Sequence, residues 1–484
     1  MLELSQRERI AWLRALAPTD AVEAIVAALD AGTPEDALWA TGALTACHAL
    51  NNQARNLLGF VTHAMIGCED ARRLAWGQPA ATRRLLIVQA LYQVVCDLHD
   101  PCFAPYELLP FWPTREADLA QSLAMLRSDV RFGEAMRCDH RLVALEQDLP
   151  RPALIDLVLD IGLEGMITDD HTLITPVLAL GMIELLGWQQ GFPMLRWAVR
   201  YSASFPRAFA PYDRALALRE RYGLAGGAPV VVFQPERVGP LRNALLAADA
   251  ADRPEIAARA LAAGHSPATV LAAVSLAGCA MYLMTEPVPH DDYDAVSREV
   301  APMHIGTTTN VLRAALRWMR PSTAVLAAIQ GGSLLERGPS VLSPQFEFVP
   351  FVAAPPFPYP EDVAPLRGRT PTALLGLLAE ALAAREPRLA TAAVWAYADR
   401  GADPEPLIGL LTAVACTDNG TLLHNFKHLH AMVEEFRACH LPERWAYLIA
   451  ATRFIAWYAG KWTAAYDRVQ ALREAPRAGV ATHM

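Results

Sequence analysis

Three histidines and a lysine fall on little more than two helical turns in the segment His424-Asn425-Phe426-Lys427-His428-Leu429-His430. His424, Lys427 and His428 stand at i, i+3 and i+4 and share one face of any helix formed there. Two imidazoles at i and i+4 can hold one metal ion without bending the helix. A lysine at i+3 is chemically odd in such a place, because an ammonium cannot ligate and repels a cation. It makes sense if Lys427 is a neutral amine or is carbamylated, the carbamate being an oxygen donor. The alternative is a polar face of a surface helix.

Other histidines sit where helices could carry them to the same point. His304 lies in Pro302-Met303-His304-Ile305-Gly306-Thr307-Thr308, directly before an Ala/Leu/Arg helix. His171 follows Asp169-Asp170, either of which can cap an apolar helix ending near Gly191, so that His171 occupies its first turn. His48 is flanked by small residues that permit close helix packing. Each of these, taken singly, could be a hydrogen-bonded core or cap histidine. Helix bundles, however, build metal sites from inward-facing residues on different helices, which makes His48, His171, His304 and His424 a candidate ligand set. His63 and His99 are alternates. His265 reads as punctuation at a helix start, and His140, His290, His440 and His483 are assigned no role. Several neutral imidazoles around a divalent ion favour Fe, Mn, Zn, Ni or Cu over Mg or Ca.

The elements that must position these residues are helical. Of the 484 residues, 53% are hydrophobic and 19% charged, enough to bury a large core and too apolar for disorder. Ala and Leu dominate and β-branched residues rarely cluster, which predicts an all-α protein. The chain reads as one all-α domain over residues 1–484. Helices are expected over about 34–67, 82–98, 116–147, 152–165, 170–191, 240–263 and 267–284, with more from 372 to 475. Val230-Val231-Val232-Phe233 could be a lone strand or an extended connector. The stretch 332–371 is rich in proline and in aromatics (Phe346, Phe348, Phe351, Phe357, Tyr359). It reads as a loop or lid, its aromatics either lining an apolar pocket or packing on the core. No 34-residue period supports a solenoid.

The net charge of −9 and pI near 5.8 give no electrostatic reason to expect nucleic acid or an anionic membrane as partner. The apolar stretch Ser266 to Met284 lacks flanking charge bias and reads as a buried helix rather than a membrane span. The eight cysteines are scattered singly without a C-x-x-C. With no apolar signal core at the charged N-terminus, they fit reduced thiols in a cytoplasmic protein. No H-E-x-x-H, G-x-S-x-G, P-loop, Rossmann or paired Glu-x-x-His motif is present.

The segment from His424 to Ala431, followed by Glu434-Glu435, resembles the H-x-x-K element of questin oxidase-like proteins, which reads roughly E-H-x-x-K-x-x-E-A. Met303-His304-Ile305-Gly306-Thr307 through Leu316 is similar to that family's H-x-x-T-x-x-x-A-L-R element. His171-Thr172-Leu173-Ile174 with Ala179-Leu180 is similar to its F-H-x-x-I-R-L-A-Y element, without the Arg and Tyr. For the family's N-terminal N-H-x-P element, either His48 fills the place after an insertion, or Asn51 or Asn52 does. The resemblance implies an all-α non-haem iron oxygenase-like enzyme acting with O₂ on aromatic polyketides, including oxidative ring opening of anthraquinones. It implies Fe(II) held by His171, His304, His424 and a carboxylated Lys427, with the remaining N-terminal position taken by His48, taken by Asn52, or empty. His428 and His430 are then left behind the ligands or at the surface. The rival expectation is a non-catalytic helical scaffold or binding protein that kept the fold with a degenerate metal site. Substrate identity and oligomeric state stay open.

Overall fold

A computed structural model describes residues 5–52, 62–204, 207–286, 299–340 and 351–474. The Ala- and Leu-rich composition is realised as expected, with 23 α-helices and no strand among the described residues. Many prolines act as helix starters: those at 18, 267, 321, 371, 387 and 404 each occupy a first turn, where a missing N–H is harmless and the fixed φ is already helical.

Several boundaries differ from the sequence reading. The helix expected over 34–67 is two helices, Glu35–Ala49 and Ala64–Ala75. Between them Leu50 is extended, the Asn51 N–H donates to the Phe103 carbonyl at 2.7 Å, and the Asn52 side-chain amide donates to the Trp197 carbonyl. Hydrogen bonds to distant segments thus replace those that would continue the helix. Residues 230–233 are not a strand, and Val231 and Val232 stand exposed. The proline-rich stretch is shorter than expected, because Pro321–Arg337 continues as helix into it and Pro360–Val363 forms a helical turn. Phe346 and Phe348 lie outside the described residues. Phe357 is buried, its ring 4.8 Å from Tyr359 and 4.7 Å from the Arg453 guanidinium, so it packs on the core. The apolar stretch after Ser266 is the buried helix Pro267–Leu283; among the described residues no helix is long and apolar enough to cross a membrane.

Four helices define the centre of the fold: Ala64–Ala75, with His63 at its N-cap, His171–Leu186, Ala301–Ala315 and His424–Ala438. Their contacts show that all four run in the same direction. Along the first and last, His63 meets His424, Asp70 meets His430 and Arg73 meets Glu434. Along the last two, His304 meets Lys427 and Asn310 meets Glu434 and Glu435. His171 meets His63, and further on Gly181 lies against Glu69 and Arg73. Antiparallel neighbours fill the outside: Tyr282 and Ser275 of Pro267–Leu283 touch His428 and Glu435 in that order. Phe454 and Trp445 of Trp445–Tyr458 likewise touch His428 and Phe436.

Gly306 and Gly67 show how closely these helices approach. A Cβ on Gly306 would lie 2.7 Å from the end of Met432. One on Gly67 would lie 2.3 Å from Leu423 Cδ1 and 3.0 Å from its Cβ. Leu423 cannot retreat easily, because it sits in the left-handed region at φ 64°, next to Leu422 at φ 53°, and immediately precedes His424. Gly67→Ala is therefore expected to destabilise the protein by ~1–3 kcal/mol through overpacking, read as a lowered urea midpoint. A midpoint equal to wild type would show that the turn at Leu423 yields freely.

Candidate metal centre

The first turns of the four parallel helices bring His63, His171, His304, His424 and Lys427 together in the interior. Ligand nitrogens of His63, His171 and His424 all lie within 4.8 Å of one another. His63 Nε2 and His171 Nε2 are 3.0 Å apart. Lys427 Nζ stands 2.9 Å from His171 Nε2 and 3.0 Å from His304 Nε2. The His304 ring centroid is 5.2 Å from those of both His171 and His424.

The outer nitrogens are tied down in a way that orients the inner ones. His171 Nδ1 faces Asp169 Oδ1 at 3.0 Å and Asp170 Oδ1 at 3.3 Å. Asp170 Oδ2 lies 3.8 Å from His304 Nδ1 and accepts from the Thr308 hydroxyl at 2.5 Å. His424 Nδ1 donates to the Thr421 carbonyl at 2.7 Å. Protons held on Nδ1 of His171 and His424 leave their Nε2 lone pairs pointing inward, the tautomer that metal-bound histidines adopt. The Thr421 carbonyl reaches His424 because of the two left-handed leucines that follow it, a conformation non-glycine residues rarely keep without a compensating role. Asp418 holds Thr421 from behind, accepting from its backbone N–H at 3.1 Å and its hydroxyl at 2.5 Å.

Burial disfavours the charged forms of His63, His304, His424 and Lys427. Burial, then mutual repulsion, pushes His63 well below the ordinary histidine range. Burial and the neighbouring Lys427 do the same to His304 and His424. Burial also lowers Lys427, against the attraction of Asp170, Asp70 and Asp169. For Asp169 burial works upward, but Arg207 and His171 outweigh it and bring its carboxyl to about 2. Asp170 is likewise lowered overall, burial being outweighed by His171 and Lys427. Four helix N-termini add positive potential at the same point, which further favours neutral bases.

These residues fit a divalent transition metal. Two ligands ~2.1 Å from one ion at a right angle stand ~3.0 Å apart, the separation of His63 Nε2 from His171 Nε2. In the present arrangement the His63–His171 bond requires the proton of His63 on Nε2, and His63 Nδ1 is buried without a hydrogen-bond partner among the described residues. A cation between the rings would let both Nε2 atoms present lone pairs. Asp70 Oδ2 is likewise buried without a hydrogen-bond partner among the described residues.

Of the residues singled out in the sequence, His171, His304, His424 and Lys427 converge. His48 does not join them: it lies half-buried, and the charges that act on it are those of Arg196, Arg14 and Glu107. Asn52 is committed to Trp197. His63, one of the alternates, supplies the imidazole from the N-terminal part of the chain. Its only local mark is its position between Thr62 and a small-residue helix start. His428 and His430 are buried rather than at the surface. His428 packs between Tyr282 and Phe454, its centroid 5.6 and 5.2 Å from theirs, and burial pushes it down to about 3. His430 is clamped by Asp70 at 2.7 Å and Glu434 at 3.0 Å. His99 bonds the Leu16 carbonyl near the surface.

Burial alone would lower His430, but Glu434 and Asp70 raise it to about 10. A folded-state value above the unfolded ~6.5 means stability fully present below pH ~6.5 and lost as pH rises through about 10. Urea midpoints are expected to fall over that alkaline window, and His430→Gln is expected to remove that part of the fall. An unchanged slope in the variant would exclude His430 as the titrating group. Comparison with models of known families, with curated proteins and with solved structures gives no match to this chain.

Proposed function

We propose that this protein is a metal-dependent oxidoreductase, with His63, His171, His304 and His424 as the nitrogen ligands and Lys427 as a carbamate oxygen ligand. The observation that carries this reading is the Lys427 amine, buried within 3.0 Å of two inward-facing imidazole nitrogens. A neutral buried amine is nucleophilic. Its lone pair adds to the carbon of CO₂, forming an N–C bond as one C=O π pair moves onto oxygen, and an N–H bond breaks as one proton leaves to solvent. The product is an anion, which the converging helix N-termini favour and which adds an oxygen donor to the imidazole set.

Imidazoles with an oxygen donor suit Fe(II), with Mn, Zn, Ni and Cu as alternatives. Ferrous iron, when held by such a set, would supply the one-electron redox chemistry through which O₂ is activated. The H-x-x-K resemblance adds the substrate class, an aromatic or polyketide-like natural product of secondary metabolism. Asp169, Asp170 and Thr421 would hold the ligand rings in their tautomers and resist their rotation.

Protein purified anaerobically with iron and bicarbonate is expected to carry about one transition-metal ion per chain by elemental analysis. Lys427→Ala should lose most of it, and depleting CO₂ should lower metal content in wild type alone. Metal-free wild-type protein would overturn the reading in favour of a non-catalytic helical scaffold. Asp170→Asn is expected to weaken metal binding about 10- to 100-fold in a chelator competition, with little change in the far-UV spectrum. Wild-type affinity in that variant would remove Asp170 from the support of the centre.

A further inference from the structure

Lined partly by the far ends of three of the helices that build the cluster, a groove of about 500 Å³ opens on the surface, within the size range of small-molecule sites. Arg73, Arg313 and Arg437 contribute to it, one each from the His63, His304 and His424 helices. The floor is apolar, formed by Leu74, Ile408 and Val433. Trp76 stands at the edge with its side chain 82% exposed.

Each cation of the lining has a carboxylate partner: Arg313 has Glu435, Arg437 has Glu405, Arg73 has Glu69 and Glu434, and His430 has Asp70 and Glu434. What the groove offers an anion is therefore directed N–H donors rather than excess charge. The guanidinium groups keep donors in hand. Arg313 contacts Glu435 through Nη1, and Arg437 contacts both oxygens of Glu405 through Nη2 alone, at 3.1 and 2.9 Å. Each fork carries five N–H donors, so Nε and the other terminal nitrogen of Arg437 can still meet a planar anion. Arg73 is more heavily engaged, by Glu69 at 2.7 Å and Glu434 at 3.2 Å.

We propose that this groove is a second ligand site, for a small aromatic carboxylate whose anion is held by Arg437 and Arg313 and whose ring lies on the apolar floor against Trp76. Arginine forks match carboxylate geometry in two-point contact. An exposed indole beside an apolar floor offers a face for a ring. A simple inorganic anion would leave that floor uncovered, and a neutral aromatic would leave the remaining N–H donors of Arg437 without an acceptor. The site is distinct from the metal cluster. Glu434 lines the groove and bonds His430, which in turn bonds Asp70, so the two ends of the helices share a short buried chain of contacts.

Calorimetric titration of the full-length protein with 1-naphthoate, 1-naphthalenemethanol and acetate separates the contributions. Saturable naphthoate binding is expected, with both other probes about tenfold weaker or worse. Arg437→Gln and Trp76→Ala should each weaken naphthoate about tenfold, the loss of one charge-assisted contact or one ring contact, while melting like wild type. Trp76 is so exposed that its replacement tests the site even if the arginine variant folds poorly. Absence of saturable naphthoate binding, equal binding of the neutral probe, or wild-type affinity in Trp76→Ala would overturn the proposal.

Discussion

The centre of this molecule is organised by one requirement: an amine and four imidazoles must share a volume from which water is excluded. Lys427 and the rings of His63, His304 and His424 are driven toward their neutral forms by burial, since a charge there would lack the solvation that water supplies. Parallel packing of four helices sets this up. It brings four N-termini to one point, where their unsatisfied N–H groups disfavour protonation of every base in reach. Parallel neighbours cannot be joined by tight turns, so the intervening helices must run back along the outside. That is a reason a single cluster needs so long a chain.

The aspartates answer the same requirement. Asp169 and Asp170 precede the helix of His171, where negative charge offsets the helix ends, and Asp170 serves both His171 and His304. Asp169 is itself held by the Tyr201 hydroxyl at 2.5 Å and by Arg207 at 3.2 Å. Buried carboxylates are tolerable only when paired in this way. The other charged assembly, Asp70–His430–Glu434–Arg73, occupies the middle and far end of the same helices. It locks the register that places His63 beside His424. The rings of His171 and His424 are fixed from their outer nitrogens, by Asp169 and by the Thr421 carbonyl, the kind of support that metal-bound histidines have.

Much of this was legible in the chain. Helical class followed from an Ala- and Leu-rich composition with few β-branched runs, and the described residues form helices without a strand. Lys427 stood out because a cation at i+3 from a candidate ligand contradicts a metal site unless its charge is removed. His171 after two aspartates and His304 at a helix start were visible as inward candidates. The choice between His48 and His63 was not. Both lay on one expected helix, and the break at Leu50 depends on Phe103 and Trp197, residues far along the chain.

Spacing alone put His424, Lys427 and His428 on one face, a sector roughly 100° wide by helical geometry. Within it, local sequence cannot say which side turns toward which neighbour. Packing decided: Lys427 turned to His171 and His304, while His428 turned to Tyr282 and Phe454. The sequence by itself determined the helices and the residue types capable of ligation, because propensity and periodicity act over a few residues. Tertiary structure alone decided which imidazoles meet, since that depends on contacts spanning hundreds of residues and on close approaches such as that of Gly67 to Leu423.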